Sequence, residues 1–370
     1  IWRFSMTKAA ELAKMGEVLT NSQIGGRRNI IINGAMQVAE RGASQGGVGA
    51  SQGYFCTDRF KSTISGTDAR YTVSQDSDAP EGFSKALKYD VTTADTSVAA
   101  DEFHAISYRA EGQDIAHFEW GTSDAKQCTF SFYAKATTAQ TVVVNFVRAT
   151  SGTSRSVSKA FSITTSYQRF TFTLPADTGG SAQVETNAEG LAIHIGFGGG
   201  SNFTGGTINE TWEDITNNKR FAGVGNLASS TDNNFFITGI QLEVGSQATP
   251  FEHRSFGEEL LLCQRYFNRR GQTQDLSSGY DAWATGTNIA STVTRIAIPY
   301  PVAMRAKPTL STNGNISMSG GSSFSSIASN YASLKSGMAD LSVSGGTSGY
   351  GHLVYSQNSS NDYFDLDSEL

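Results

Sequence analysis

Carboxylates gathered around one tryptophan are the side chains in this sequence that come nearest to catalytic chemistry. Glu210, Glu213 and Asp214 flank Trp212 within one short segment. An enzyme that cleaves a glycosidic bond needs two carboxyl groups about 5–10 Å apart across that bond. The cluster could supply such a pair beside an aromatic ring. The alternative is a solvated loop that contains one packed tryptophan, and we favour this alternative.

The other residues that could do chemistry add no second constellation. The 5 histidines are scattered, and none pairs with a carboxylate at helical spacing on a predicted helix. No His-x-x-x-His pair and no lysine-containing phosphate loop occurs, and the glycines at 196–206 are typical of a turn in a β region. We therefore expect that the protein is not an enzyme.

Metal and cysteine chemistry is only weakly indicated. Acidic loops could bind a structural calcium ion through oxygen ligands, but no spacing identifies the ligands. The sequence leaves that ion open and predicts no other cofactor. Cys56, Cys128 and Cys263 are far apart, which argues against a disulfide framework and against a zinc site of the usual spacing. We expect three buried thiols.

Aromatic residues in segments rich in Gly, Ser, Thr and Asn are candidates for binding sugars. Such rings can stack on a sugar, while neighbouring amides and hydroxyls bind its hydroxyl groups. The alternative is packing at the bases of loops or at subunit contacts. The glycan-binding candidates are Trp212, Tyr280, Trp283 and Tyr350.

The elements that must position these side chains are β-strands. Only 17% of the residues are charged, and 39 glycines accompany just 6 prolines. One strand candidate follows another over 69–244, and alternation in 128–136 puts Phe130 and Phe132 on one face, as in an antiparallel sheet. The pattern predicts an all-β protein with an antiparallel β-sandwich, a jelly roll, over 29–254. The strands predicted are 54–60, 70–74, 86–91, 103–109, 128–136, 141–147, 167–174, 191–197 and 235–244.

A short helix follows the sandwich. Ser255 and Glu258 have the spacing of a capping box, in which each side chain satisfies a backbone N–H of the first turn. We predict a connecting helix over 255–270. Its apolar stripe either caps the chain's own fold or meets copies of itself. The oligomer-contact candidates are Phe256, Leu260, Cys263 and Phe267.

Two further segments complete the predicted domain organisation. Residues 271–370 read as a smaller C-terminal β domain, with a loop-like start at 271–290 and short strands joined by loops in the Ser- and Gly-rich stretch 311–350. Residues 1–28 form an N-terminal attachment segment with a short helix at 6–20. The stripe of that helix requires a partner, because an isolated helix of this length is marginal in water. Its docking candidates are Leu12, Met15 and Leu19.

Charge and hydropathy exclude two classes of partner. A net charge of −6 argues against a nucleic-acid-binding protein, which usually has a basic face. No run of 18 apolar residues is present, so we expect no membrane insertion. No secretory signal begins the sequence, and we expect folding in a reducing cytoplasm.

Several ordered blocks of the sequence resemble bacteriophage tail fibres and related virion structural proteins. The blocks are RNIIINGAMQVAERG at 28–42, Tyr54 with Asp58-Arg59-Phe60, ITGIQLEVGSQATPFEHRSFGEELLLCQRYF at 237–267, YPVAMRAKPTL at 300–310 and the terminal FDLDSEL. The middle section resembles, more loosely, the jelly-roll modules attached to carbohydrate-binding proteins.

The resemblance implies a function as well as an architecture. It implies a homotrimer on the exterior of a phage particle, assembled in the host cytoplasm, whose N-terminus docks on other virion proteins. The distal β domain would contact host surface glycans, and many weak contacts would add up to strong adhesion. Two alternatives stay open, namely a polysaccharide depolymerase and a purely architectural capsid fibre or tail adaptor.

Overall fold

The described chain forms two compact units, one ending at Arg254 and the other beginning at Ser255. The computed structural model describes residues 28–271, 280–314, 316–319, 323–357 and 362–370. The predicted helix at 6–20, with Leu12, Met15 and Leu19, lies outside the described residues, as does the attachment segment except for its last residue.

Thirteen strands build the described part of the first unit. They are β1 (Ser44–Val48), β2 (Gly53–Tyr54), β3 (Phe60–Ser65), β4 (Arg70–Asp76), β5 (Ala86–Thr93), β6 (Phe103–Glu111), β7 (Cys128–Ala136), β8 (Gln140–Arg148), β9 (Arg155–Ile163), β10 (Gln168–Leu174), β11 (Glu189–Gly199), β12 (Glu213–Asp214) and β13 (Asn234–Val244). The α-helix α1 spans Ser201–Thr204, and 3-10 turns lie at Gly112–Asp114, Ala116–Phe118, Asn217–Lys219 and Leu227–Ser229.

These strands form two antiparallel sheets. One sheet has the order β1-β4-β5-β13-β7-β10, and the other has the order β12-β9-β8-β11-β6-β3-β2. The chain crosses repeatedly from one sheet to the other, so sequence neighbours such as β6 and β7 lie in different sheets. The first unit is therefore the antiparallel β-sandwich, a jelly roll, that the alternating pattern predicts.

Aromatic and branched side chains fill the space between the sheets. Phe130 and Phe132 of β7 are fully buried, and Phe130 meets Phe146 of β8 edge to face at 5.1 Å between ring centroids. Burying one such side chain stabilises the fold by about 1.5–3 kcal/mol. Alternation along each strand thus decides which residues enter the core.

Nine strands build the described part of the second unit. They are β14 (Phe267–Arg270), β15 (Tyr280–Ala290), β16 (Val293–Pro299), β17 (Thr309–Asn313), β18 (Ile316–Met318), β19 (Ser323–Asn330), β20 (Ser336–Ser344), β21 (Gly351–Gln357) and β22 (Tyr363–Asp367). The helix α2 (Phe256–Gln264) precedes them.

Six of those strands close into a small barrel in the order β15-β16-β20-β19-β18-β21, while β14, β22 and β17 form a three-stranded sheet. The barrel has its own core, in which the Trp283 ring packs on Phe364 with centroids 4.7 Å apart. The all-β class predicted for this part of the chain, with a short helix at its start, is confirmed.

The start of α2 agrees with the sequence, but its end does not. The Ser255 side chain accepts a hydrogen bond from the Glu258 N–H, so the predicted N-terminal cap is confirmed. The helix ends at Gln264, whereas the prediction continued it to 270. Phe267 instead begins β14, because the backbone of this segment pairs with β22, opposite Asp367. Sheet pairing overrides the helical spacing here.

Two other predictions of secondary structure were wrong. The segment 54–60 is a strand only at its ends, because Asp58 and Arg59 lie in a buried turn in which the Asn33 amide donates to the Asp58 carbonyl at 2.9 Å. The stretch predicted as a loop at 271–290 contains the eleven-residue strand β15.

All three cysteines are buried, as predicted. Cys56 and Cys128 belong to the first unit and Cys263 to the second. Among the described residues, no helix is both long and apolar enough to cross a membrane.

Candidate functional site

The groups of the predicted acidic site around Trp212 are all engaged by neighbouring residues. The Trp212 indole N–H donates to the Pro175 carbonyl at 2.8 Å, and the half-buried ring packs edge to face against Trp120. Each of the three carboxylates has a cationic partner. The pairs are Lys159–Glu210 at 2.8 Å, Lys219–Glu213 at 3.0 Å and Arg155–Asp214 at 3.2 Å. Both the ring and the carboxylates are thus held by neighbours.

The other predicted aromatic residues have different fates. Trp283 is only 6% exposed, and its N–H donates to the Ser356 hydroxyl at 3.3 Å, so burial removes this ring from the glycan-binding candidates. Tyr350 is 60% exposed and keeps its place as a candidate. The side chain of Tyr280 lies outside the described residues, and its assignment stays a prediction.

The helix stripe predicted for oligomer contact is divided in the structure. Phe256 is 56% exposed and Leu260 is half-buried, whereas Cys263 and Phe267 are buried within the chain's own second unit. Burial removes Cys263 and Phe267 as contacts between copies. Phe256 and Leu260 remain available for that role.

A broad groove on the outer face of the barrel is the strongest candidate for a functional site. Its volume is about 980 Å³, and it lies over β15, β16, β20 and β21. Its lining includes small residues, such as Ala282 and Gly286.

Register explains which side chains line this groove. Leu353, Thr285, Ala297 and Met338 are successive partners across β21, β15, β16 and β20. Because side chains alternate between the two faces of a strand, the four residues point outward together. They form an exposed, mostly apolar row across the groove.

A charged pair lies beside that row. The Arg295 guanidinium donates to both carboxylate oxygens of Asp340, at 2.7 and 2.9 Å. The hydrogen bonds from Arg295 lower the pKa of Asp340, so the pair is ionised at neutral pH. Two parallel hydrogen bonds also fix the direction in which the guanidinium points.

An exposed aromatic ring lies next to Arg295, which lines the groove. The guanidinium carbon of Arg295 lies 5.5 Å from the centre of the Tyr331 ring, which is 50% exposed. The ring therefore has an open face and a fixed polar neighbour. This arrangement can stack on an apolar face of a ligand while Arg295 donates to its oxygen atoms. With a single carboxylate, held in an ion pair, it is suited to binding rather than to acid–base chemistry.

Sequence reasoning missed Arg295, Tyr331 and Asp340. The alternation in 293–299 and 336–344 indicates that Arg295 and Asp340 lie on polar strand faces. It does not give the register, and only the pairing of β16 with β20 sets the two side chains opposite each other. Tyr331 follows a Ser-rich strand and carried no signal of its own.

A separate polar cluster in the first unit has the composition of a metal site. Donor atoms of Asp95, Glu102 and His104 lie within 4.8 Å of one another, and all three residues are buried. The ligand set could not be predicted from the sequence, because these residues lie in a loop, directly before β6 and within β6.

Comparison with known proteins gives no family. No protein-family model matches the chain, and no curated protein matches it. The enzymatically active domain of tailspike protein 4 from bacteriophage CBA120 is among the similar solved structures, with 10% identity and a TM-score of 0.32. The alignment covers 59% of this chain and 21% of that one, so the chain spans about a fifth of the tailspike domain's length.

Two carbohydrate-binding modules are also similar. A family 11 module of a Clostridium thermocellum cellulosomal cellulase has 11% identity and a TM-score of 0.29, with 56% of this chain and 100% of the module covered. A xylan-binding domain from Paenibacillus barcinonensis has 11% identity and a TM-score of 0.27, with 55% and 94% covered.

Proposed function

We propose that this chain is a non-enzymatic virion structural protein of the fibre type, and that its second unit binds a surface carbohydrate in the barrel groove. The observation that carries the ligand class is the half-exposed Tyr331 ring, which lies beside a guanidinium oriented by Asp340. Sugars present both an apolar ring face and hydroxyl oxygens, which match an aromatic face and a fixed donor.

The distribution of exposed apolar side chains supports assembly with further copies of the chain. Among the described residues, Val184 is the one large exposed hydrophobic side chain that lies in the first unit. The second unit exposes Phe256, Leu261, Ile289, Tyr331, Leu334, Met338, Tyr350 and Leu353. A concentration of exposed apolar side chains in one unit favours a contact surface there. The proposal therefore includes assembly of the chain into a homotrimer that contacts other virion proteins.

The two alternatives make different demands on the groove. A depolymerase would require catalytic carboxylates, and those around Trp212 are all engaged with Lys or Arg. A purely architectural fibre would use the apolar row from Leu353 to Met338 only as a subunit contact, and the exposure of that row favours this role as the second candidate.

Carbohydrate binding separates these candidates. The purified chain is titrated against a panel of bacterial surface polysaccharides, first as wild type and then as Tyr331→Ala. We expect binding by the wild type and a loss of affinity of about tenfold in the variant, equivalent to about 1.4 kcal/mol. Ile289→Ala is the matched control, because it removes another exposed apolar side chain of the same unit that does not line the groove.

Three results would count against the proposal. Equal binding by wild type and Tyr331→Ala would move the ligand away from the groove. Failure to bind any polysaccharide, together with a stable oligomer, would favour the architectural alternative. New reducing ends that disappear in Glu213→Gln would establish a depolymerase instead.

A further inference from the structure

The buried cluster of Asp95, Glu102 and His104 is brought together at one end of the sandwich. Asp95 lies in the loop after β5, Glu102 directly precedes β6, and His104 is the second residue of β6. The Asp95 carboxylate also accepts a hydrogen bond from the Thr67 hydroxyl, between β3 and β4. Three connections of the fold therefore converge on this cluster.

Two atoms of the cluster are buried without partners. Glu102 is 6% exposed and His104 is 1% exposed. Within the part of the chain that the structure describes, Glu102 Oε2 and His104 Nε2 have no hydrogen-bond partner. Leaving one such polar group buried and unsatisfied costs about 1–3 kcal/mol. The residues that carry these two atoms belong to the same cluster, which indicates that a ligand joins them.

Neighbouring hydrogen bonds prepare the other ligand atoms. The Tyr71 hydroxyl is bonded to His104 Nδ1, which fixes the orientation of the imidazole ring. The Asp95 oxygens accept from the Thr67 hydroxyl and from the Asp68 and Ser97 N–H groups. A carboxylate has about four lone-pair sites, so Asp95 keeps capacity for a further ligand.

A side-chain hydrogen bond also joins Glu102 to Asp95. A cation held between the two carboxylates would take the place of this hydrogen bond.

We propose that Asp95, Glu102 and His104 bind one divalent transition-metal ion, and that zinc fits the site best. Zinc binds imidazole nitrogen and carboxylate oxygen and is satisfied by about four ligands. Calcium takes about six to eight oxygen ligands, which a buried set containing an imidazole does not provide. The ion would tie the loop that contains Asp95 to β6 and thereby stabilise this end of the sandwich.

Zinc binding by the full chain tests the proposal. Chelator-treated protein is titrated with zinc and with calcium by calorimetry, and its thermal unfolding is followed with and without each ion. We expect the cluster to bind one zinc ion per chain. Zinc should also raise the unfolding temperature, since an ion bound only by the folded chain stabilises it. In Glu102→Gln we expect the affinity for zinc to fall by more than about tenfold.

The chain offers a matched control and a second measurement. Glu81→Gln changes an exposed glutamate of the same unit and should bind zinc like the wild type. Glu102→Gln keeps the side-chain shape and can still donate to Asp95, so circular dichroism should show a folded protein. X-ray absorption at the zinc edge should show one imidazole, oxygen ligands and no sulfur.

Other outcomes would overturn the assignment. Zinc affinity unchanged in Glu102→Gln, sulfur among the zinc ligands, or no zinc binding at micromolar concentration would remove the site. Tighter binding of calcium than of zinc, lost in Glu102→Gln, would refute the proposed class of ion.

Discussion

Two buried histidines contribute to the acid sensitivity of the first unit. Burial lowers the pKa of His194 to about 3, helped by the positive charges of Arg220, Arg109 and Lys61, and burial lowers that of His104 to about 4. In the unfolded chain both histidines bind a proton near the ordinary pKa of 6.5. Only the unfolded state gains these protons. The contribution of the two neutral histidines to the free energy of unfolding is therefore fully present above pH 6.5 and is lost as the pH falls toward 4.

We predict that His194→Asn reduces this pH dependence. Between about pH 7.5 and pH 5, the single histidine accounts for about 2 kcal/mol of the loss in the free energy of unfolding. Urea unfolding of both proteins at the two pH values measures the difference. Val143→Ala, on the neighbouring strand, should lower stability by a similar amount at both pH values. A full acid loss retained in His194→Asn would contradict the assigned shift.

One buried carboxylate of the sandwich is held by two arginines. Asp177 accepts from Arg148 Nε at 2.7 Å and from Arg155 Nε at 2.8 Å, and the Arg148 and Asp177 side chains are both fully buried. Asp177→Asn leaves a guanidinium uncompensated, and we predict a loss of about 3–5 kcal/mol in unfolding free energy.

The control for Asp177 is a carboxylate at the surface. Asp78 pairs with Lys135 but is about half exposed, so Asp78→Asn should cost no more than about 1 kcal/mol. Denaturant titration of the two variants gives both values. Equal losses would mean that burial does not set the strength of these pairs.

At the scale of elements, the cap of α2 can be tested on its own. Ser255→Ala removes the side-chain oxygen that accepts from the Glu258 N–H, and a lost cap of this kind costs about 1 kcal/mol. The unfolding midpoint of the second unit should fall accordingly. Ser348→Ala, at an exposed turn, should leave the midpoint unchanged, and an equal fall there would argue against a specific role for the cap.

Strand positions could be predicted where alternation was strong. The sequence placed β7 at 128–136 with the bounds that the structure has, because each inward residue is apolar and each neighbouring pair differs in polarity. The end of α2 could not be predicted, since Phe267 continues the helical spacing and only its distant partner Asp367 reveals β14.

The candidate site was harder to predict than the fold. Its parts come from β16, β20 and the residue after β19, and their meeting depends on sheet register. Trp283 was misassigned because a Gly- and Thr-rich strand resembles a loop in composition. The metal cluster was missed for a similar reason, as the side chains converge only through the fold.

At the scale of the whole molecule, two separate cores predict two unfolding transitions. Phe146 belongs to the sandwich core, and Phe364 to the barrel core. We predict that Phe364→Ala lowers the free energy of unfolding of the second unit by about 3–5 kcal/mol. In calorimetry the transition of that unit should move to a lower temperature, while the transition of the first unit should stay in place. Phe146→Ala is the reciprocal variant and should shift only the transition of the first unit. Movement of both transitions by either change would show that the two cores unfold together.

Alkylation of the buried thiols can measure local unfolding of the chain. An alkylating reagent attacks the thiolate, and burial raises the pKa of Cys56 to about 12 and that of Cys128 far above its usual range. Cys263 is equally shielded in the second unit. Mass spectrometry can follow the rate at which each cysteine-containing peptide is alkylated. That rate reports how often the surroundings of each cysteine unfold, with no dye attached.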